Sequence, residues 1–170
     1  MRHLKILPTN SSVKELYENH SYNLEGDVGF DLIFPEDVKV YYKQSNLINL
    51  QVKIASYIYD SKSDKYCEVG FPIVPRSSIN KLPYRMSNST GVVDRYRGEI
   101  FVSLDYLDLL TNSQPEQKLD IETGKIFSII TKGTRLFQII DPLMDCITWE
   151  LVEELPSSGR GDRGNGSTGK

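Results

Sequence analysis

At 170 residues the chain has the length of one domain, and a domain of that size buries about two-thirds of its unfolded surface. Hydrophobic (39%) and charged (25%) fractions are ordinary for a globular protein; a net charge of −3 excludes a standing nucleic-acid surface, though not one nucleotide, which needs only local cations. Cys67 and Cys146 lie far apart, with no CxxC spacing and no paired histidines, which argues against zinc or a disulfide framework and fits a reducing compartment.

The N-terminal run MRHLKILPTNSS lacks an apolar signal core, and no apolar stretch approaches the ~18 residues that span a bilayer. A soluble cytosolic or nuclear protein is expected, with no membrane partner. A first strand precedes a helix over 11–19, whose Ser12-x-x-Glu15 spacing reads as a capping box. Residues 48–59 alternate apolar and polar through Leu50, Val52 and Ile54, as a half-buried strand does. Further β-branched and aromatic runs follow at 66–74, 99–104, 125–130 and 135–140, with one helical turn at 76–82. Turn clusters Ser61–Asp64 and Thr111–Pro115 separate them. Short strands at this spacing predict an all-β sandwich or barrel with at most one short helix. After Pro156 the chain carries five glycines and no large apolar residue, so it cannot order by burial. This divides a β domain over 1–156 from a mobile arm over 157–170. The arm is either a plain linker or a phosphate-binding strap whose bare amides and arginines meet an anion.

Five segments concentrate polar chemistry. Gly26–Leu32 places Asp31 between apolar neighbours after a glycine turn. Val74–Lys81 begins with Pro75-Arg76-Ser77-Ser78, where proline fixes φ and an arginine fork and hydroxyls can converge on an oxyanion. Asn88–Ile100 reads as a β-hairpin between Val92-Val93 and Ile100–Val102, with Asp94 and Tyr96 at its tip. There the backbone can meet a base edge, the tyrosine a sugar, and the aspartate a proton from water. Gly133–Gln138 sets polar residues in an apolar run, and Arg160–Gly169 closes the chain. His3 and His20 fall outside all five and read as surface residues.

Together and in this order, the segments resemble the trimeric dUTPase family, whose motifs look like (A/V)GxDL, PRSS/PRSG, GVIDxxYRGE, GxRxxQ and RGxGxFGSTG. They stand here as Val28–Leu32, Pro75–Ser78, Gly91–Glu99, Gly133–Gln138 and Arg160–Gly169. The wording of the second and third is most similar to viral or eukaryotic members. The resemblance implies a jelly-roll-like β-barrel, a homotrimer with active sites between subunits, and Mg²⁺-assisted hydrolysis of dUTP to dUMP and pyrophosphate. It implies that Asn88 and the backbone at Gly91 and Val93 read uracil and that Tyr96 packs under the deoxyribose. Asp94 would deprotonate the attacking water, and Asp31 would fix the metal through water. Arg76, Ser77, Ser78 and Gln138 would bind the triphosphate, and Arg160, Asn165, Gly166, Ser167 and Thr168 would close over it.

Two positions depart from the pattern. Only Arg95 separates Asp94 from Tyr96, where the family has two residues, and Asn165 replaces the aromatic that stacks on uracil. Weaker substrate binding is the expectation from the second, since base stacking is worth ~1–3 kcal/mol. The shortened tip leaves an alternative open: a weak or inactive dUTPase-like nucleotide-binding or regulatory protein. A dCTP deaminase shares the fold, but the tail motif and the setting of Asp94 favour the pyrophosphatase.

Overall fold

The computed structural model describes residues 1–19, 27–107, 114–159 and 161. In chain order the elements are β1 (Arg2–Pro8), α1 (Ser11–Glu18), β2 (Gly29–Leu32), β3 (Val38–Tyr41), β4 (Ser45–Asn49), β5 (Val52–Asp60), β6 (Lys65–Glu68) and β7 (Phe71–Pro75). A 3-10 turn (Ser77–Lys81) leads to β8 (Tyr84–Met86), β9 (Gly91–Val93), β10 (Phe101–Tyr106), β11 (Lys118–Leu119), β12 (Ile126–Ile130), β13 (Phe137–Ile140) and β14 (Ile147–Leu151). They form four small sheets, in the orders β14-β1-β5-β6, β4-β10-β8, β11-β12-β3 and β2-β13-β7-β9. Every pairing among the described residues is antiparallel except β1 with β14, so the all-β architecture holds, with α1 as the one α-helix among them.

Alternation explains the core. Leu4 and Ile6 of β1, Val52 and Ile54 of β5, Val102 and Leu104 of β10, and Phe137 and Ile139 of β13 all point inward and are buried. Helix α1 closes one end with Val13 and Tyr17; the Tyr17 ring stacks on Phe30 at 5.9 Å. The Tyr17 hydroxyl accepts from the Ile33 amide at 3.3 Å, and burial pushes its pKa well above the ordinary phenol value.

Four local expectations change. The strand expected over 48–59 is two, because Gln51 turns the chain at φ +53 and its carbonyl takes the Thr9 amide instead of a ladder bond. The run 66–74 likewise breaks at Val69-Gly70 into β6 and β7. Helix α1 is capped ahead of the expected capping box: Asn10, not Ser12, is the N-cap, and its side chain accepts from Val13 N. Lastly, β9 and β10 are not a hairpin. β9 pairs with β7 and β10 with β4 and β8, so residues 94–100 cross between two sheets. Both cysteines are free, with Cys67 exposed. No helix among the described residues is long and apolar enough to cross a membrane.

Candidate active site

Strand β9 ends its sheet among the described residues, so its outer edge offers peptide groups outside the ladder. That edge forms one wall of a cleft of about 350 Å³, lined by Asn88, Gly91, Val93, Asp94 and Tyr96 together with Met86 and Phe101. The volume lies in the range of small-molecule sites, roughly 300–1,000 Å³. Glycine suits position 91 because a Cβ there would come within 3.3 Å of the Met86 methyl group and narrow the cleft. Gly98 plays the same part for Tyr96, whose hydroxyl end lies where a Cβ on Gly98 would stand. The one-residue connection between Asp94 and Tyr96 is achieved by Arg95, which adopts a left-handed backbone at φ +48. Non-glycine residues in that region cost on the order of 1–3 kcal/mol, so the loop must be held by its surroundings. Asp94 and Tyr96 therefore face one cleft despite the shortened tip.

A second cleft, about 390 Å³, is lined by Arg76, Ser78, Lys81, Gly133, Thr134 and Arg135. Its position follows from strand register. Pro75 sits opposite Phe137, which sits opposite Leu32, so the ends of β7, β13 and β2 bring Arg76, Arg135 and Asp31 together. Asp31 is only 5% exposed and pairs with both cations, Oδ1 with Arg76 Nε at 2.7 Å and Oδ2 with Arg135 at 2.9 Å. The buried carboxylate orients the two guanidinium forks, which line the cleft with the Lys81 ammonium and give it the charge to receive an anion. Ser78 Oγ donates to the Arg135 carbonyl at 3.2 Å, while Ser77, the first residue of the turn, is exposed. Gln138 lies opposite Asp31 in the β2–β13 ladder, and its side-chain amide occupies the space a Cβ on Gly29 would fill.

The two clefts share no lining residue. One mixes polar and apolar side chains and carries the carboxylates Asp94 and Glu99; the other carries three cations. Arg135 and Lys81 are functional candidates beyond those assigned roles from the sequence, although Arg135 stands inside the Gly133–Gln138 segment and its spacing signals it. Arg160, Asn165, Gly166, Ser167 and Thr168 lie outside the described residues, as does His20. His3 lines neither cleft, and its ring nitrogens lie against Thr148 at 2.9 Å and Glu150 at 3.3 Å.

A metal site fits this surface only in one form. No group of three or more His, Cys, Asp or Glu side chains gathers among the described residues, so no protein cage presents itself there. A carboxylate has roughly four acceptor positions, and the two arginine contacts of Asp31 use one on each oxygen, which leaves capacity for a metal-bound water. Such a donor set suits Mg²⁺, which keeps its waters and is held largely by substrate phosphates.

No family model matches the chain. The deoxyuridine 5′-triphosphate nucleotidohydrolase of Rickettsia felis is 32% identical over 168 residues, covering 95% of this chain and 97% of that protein. The chain belongs to the dUTPase family. The Corynebacterium glutamicum enzyme of the same name is 39% identical over 84 residues, 49% of this chain, and that match spans about half of the relative's length, 46%. Among solved structures, a mutant dUTPase from phage phi11 of Staphylococcus aureus superposes with a TM-score of 0.55 at 17% identity, covering 81% of this chain and 88% of that one. This last likeness speaks to the dUTPase fold, and the mostly β architecture agrees with it.

Proposed function

We propose that this dUTPase-family chain hydrolyses dUTP to dUMP and pyrophosphate by attack of water on the α-phosphorus. The observation that carries the reading is the first cleft, where Asn88, the open β9 edge, Asp94 and Tyr96 converge in a space of nucleoside size. Uracil lies along the β9 edge and exchanges hydrogen bonds with its peptide groups, and the lack of room there rejects a thymine methyl. Tyr96 packs under the deoxyribose and rejects a ribose 2′-OH. Asp94 accepts the proton as water forms its bond to the α-phosphorus; the bond from that phosphorus to the bridging oxygen breaks, and pyrophosphate leaves with the electron pair. Phosphoryl transfer asks mainly for positioning and charge neutralisation, which a cradle of Arg76, Ser77, Ser78, Gln138, Lys81 and Arg135 can supply. Asp31 would hold Mg²⁺ through water, and the ion, bound chiefly by the triphosphate, would supply positive charge to stabilise the leaving pyrophosphate. A mutant of the phi11 phage dUTPase coordinates a structural Mg(II) ion, a role distinct from that of the substrate-held ion proposed here.

Because base cleft and cationic cleft have no residue in common, one nucleotide is best served by the first cleft of one copy and the second cleft of another. Leu47, Val92 and Phe101 rim the first cleft and are 65%, 73% and 41% exposed, as an association face would be in an isolated chain. We assign a homotrimer, with Arg160 and Asn165–Thr168 of the arm closing over the phosphates. The test is pyrophosphate release with Mg²⁺ from dUTP, dTTP, dCTP and UTP. Only dUTP should be turned over efficiently, with the others slower by a factor of about 10² or more. Tight dUTP binding without pyrophosphate release would instead favour the nucleotide-binding, regulatory reading.

A further inference from the structure

The loop carrying Asp94 and Tyr96 is gripped by the root of its own chain's C-terminal arm. Ser158 Oγ donates to the Arg95 carbonyl at 2.7 Å, and the Arg97 amide donates to the Gly161 carbonyl at 2.9 Å. The Arg97 side chain, 8% exposed, makes three further contacts, the longest its NH1 donating to the Arg95 carbonyl at 3.4 Å. Its Nε donates to the Pro156 carbonyl at 2.6 Å, and its NH2 lies 2.7 Å from Glu68 Oε1, a charge contact not aligned as a hydrogen bond. Glu68 ends β6, and two residues on, Gly70 lies so close under the loop that a Cβ there would stand 2.8 Å from the Val93 carbonyl and 3.2 Å from Asp94 Oδ1. The Gly70 carbonyl is itself fixed by Arg2 at 2.9 Å. Arg97 thus ties three pieces together: the strand end beneath Asp94, the loop, and the first residues of the arm. A planar fork presents its donors in several fixed directions and so holds a carboxylate and separate carbonyls in one geometry, whereas an ammonium's three donors radiate from a single atom. Arg95, whose left-handed backbone needs external support, sits inside this clamp with its carbonyl held.

We propose that Arg97, with Ser158, is a positioning element that sets Asp94 and Tyr96 through the arm root, so that the first residues of the arm serve their own chain's pocket. The proposal rests on the assignment of Asp94 and Tyr96 above. Two truncations and a set of substitutions test it. Removing 158–170 should speed hydrogen exchange at the Arg97 amide by about tenfold or more relative to removing 162–170 only, which leaves the clamp intact. In the full chain, Ser158→Ala, a change at a half-buried hydroxyl, should lower kcat for dUTP by about three- to tenfold, and Arg97→Gln by about ten- to a hundredfold, since small misplacements cost this much. KM should move less than kcat in both. Arg97→Lys should fall between Arg97→Gln and wild type. Pairing Arg97→Gln with Glu68→Gln avoids leaving a buried charge and should show the same kcat loss. Equal exchange at Arg97 in the two truncations would overturn the clamp. Ser158→Ala and the double variant both within twofold of wild-type kcat would overturn its positioning role whatever exchange shows. If the intact chain hydrolyses no dUTP, the enzymatic reading fails, while the exchange comparison still decides the clamp.

Discussion

At the scale of single residues, the proposed hydrolysis turns on Asp94, an exposed carboxylate at the mouth of the base cleft. A general base must sit within reach of the water it deprotonates, and its amide replacement keeps shape and size while losing the proton acceptor. Asp94→Asn should therefore bind dUTP with nearly unchanged affinity and lower kcat by a factor of about 10²–10⁴. Calorimetry and single-turnover kinetics check the two halves; turnover within a few-fold of wild type would move the base elsewhere. Much of the site is legible one residue at a time, because chemistry dictates types: an arginine and two serines after a proline, an aspartate and a tyrosine around a turn. What sequence does not display is partnership. The family pattern assigns Asp31 to a metal through water, yet its nearest partners are Arg76 and Arg135, a triad created by the alignment of three strand ends far apart along the chain. Arg97 is hidden for the same reason, since its partners Glu68 and Pro156 lie far away in sequence.

Secondary-structure elements show a similar division. Alternation locates most strands, because a half-buried strand must repeat every two residues. It does not locate breaks within apolar runs: the split at Gln51 comes from its left-handed backbone and from the Thr9 amide bonded to its carbonyl, not from a change in hydrophobicity. Nor does it say that β9 and β10 belong to different sheets, because both flanks of that loop read equally well as hairpin arms. One element offers a pH test of the fold. The turn after β11 is tied to β3 by Asp120, whose carboxylate accepts from the Tyr41 hydroxyl at 2.8 Å and Lys39 Nζ at 3.1 Å. The Tyr41 bond foremost, then Lys39, lowers its pKa from 3.8 to about 2. A carboxylate depressed in the folded state adds stability that is complete above its unfolded pKa and is lost as pH falls through the folded one. Thermal unfolding of wild type and Asp120→Asn should therefore show wild type more stable at neutral pH, with a constant gap down to about pH 4 that closes between pH 4 and pH 2. A gap that is absent at neutral pH, or that widens on acidification, would contradict the role given to Asp120.

For the molecule as a whole, length and patterning indicate a β domain with a polar C-terminal arm, and the described part of that arm proves to be docked: Ser158 and Gly161 bond to the loop that lines the base cleft. Composition does not show that the two clefts are separate, because that depends on which strand edges remain open once the sheets are formed. Exposed Leu47, Val92 and Phe101 around one cleft and the cations of the other make sense together if each active site joins the base cleft of one copy to the phosphate cradle of a second. The most direct measurement co-expresses Asp94→Asn with Arg76→Ala/Arg135→Ala, each inactive alone, and follows pyrophosphate release from dUTP by purified mixed assemblies. Light scattering should first establish three chains of 19.4 kDa per particle. Each mixed trimer then joins an intact base cleft to an intact cradle at one of its sites, so roughly a third of wild-type activity should return. Mixed trimers with no activity would place both clefts' work within a single chain and contradict the shared site.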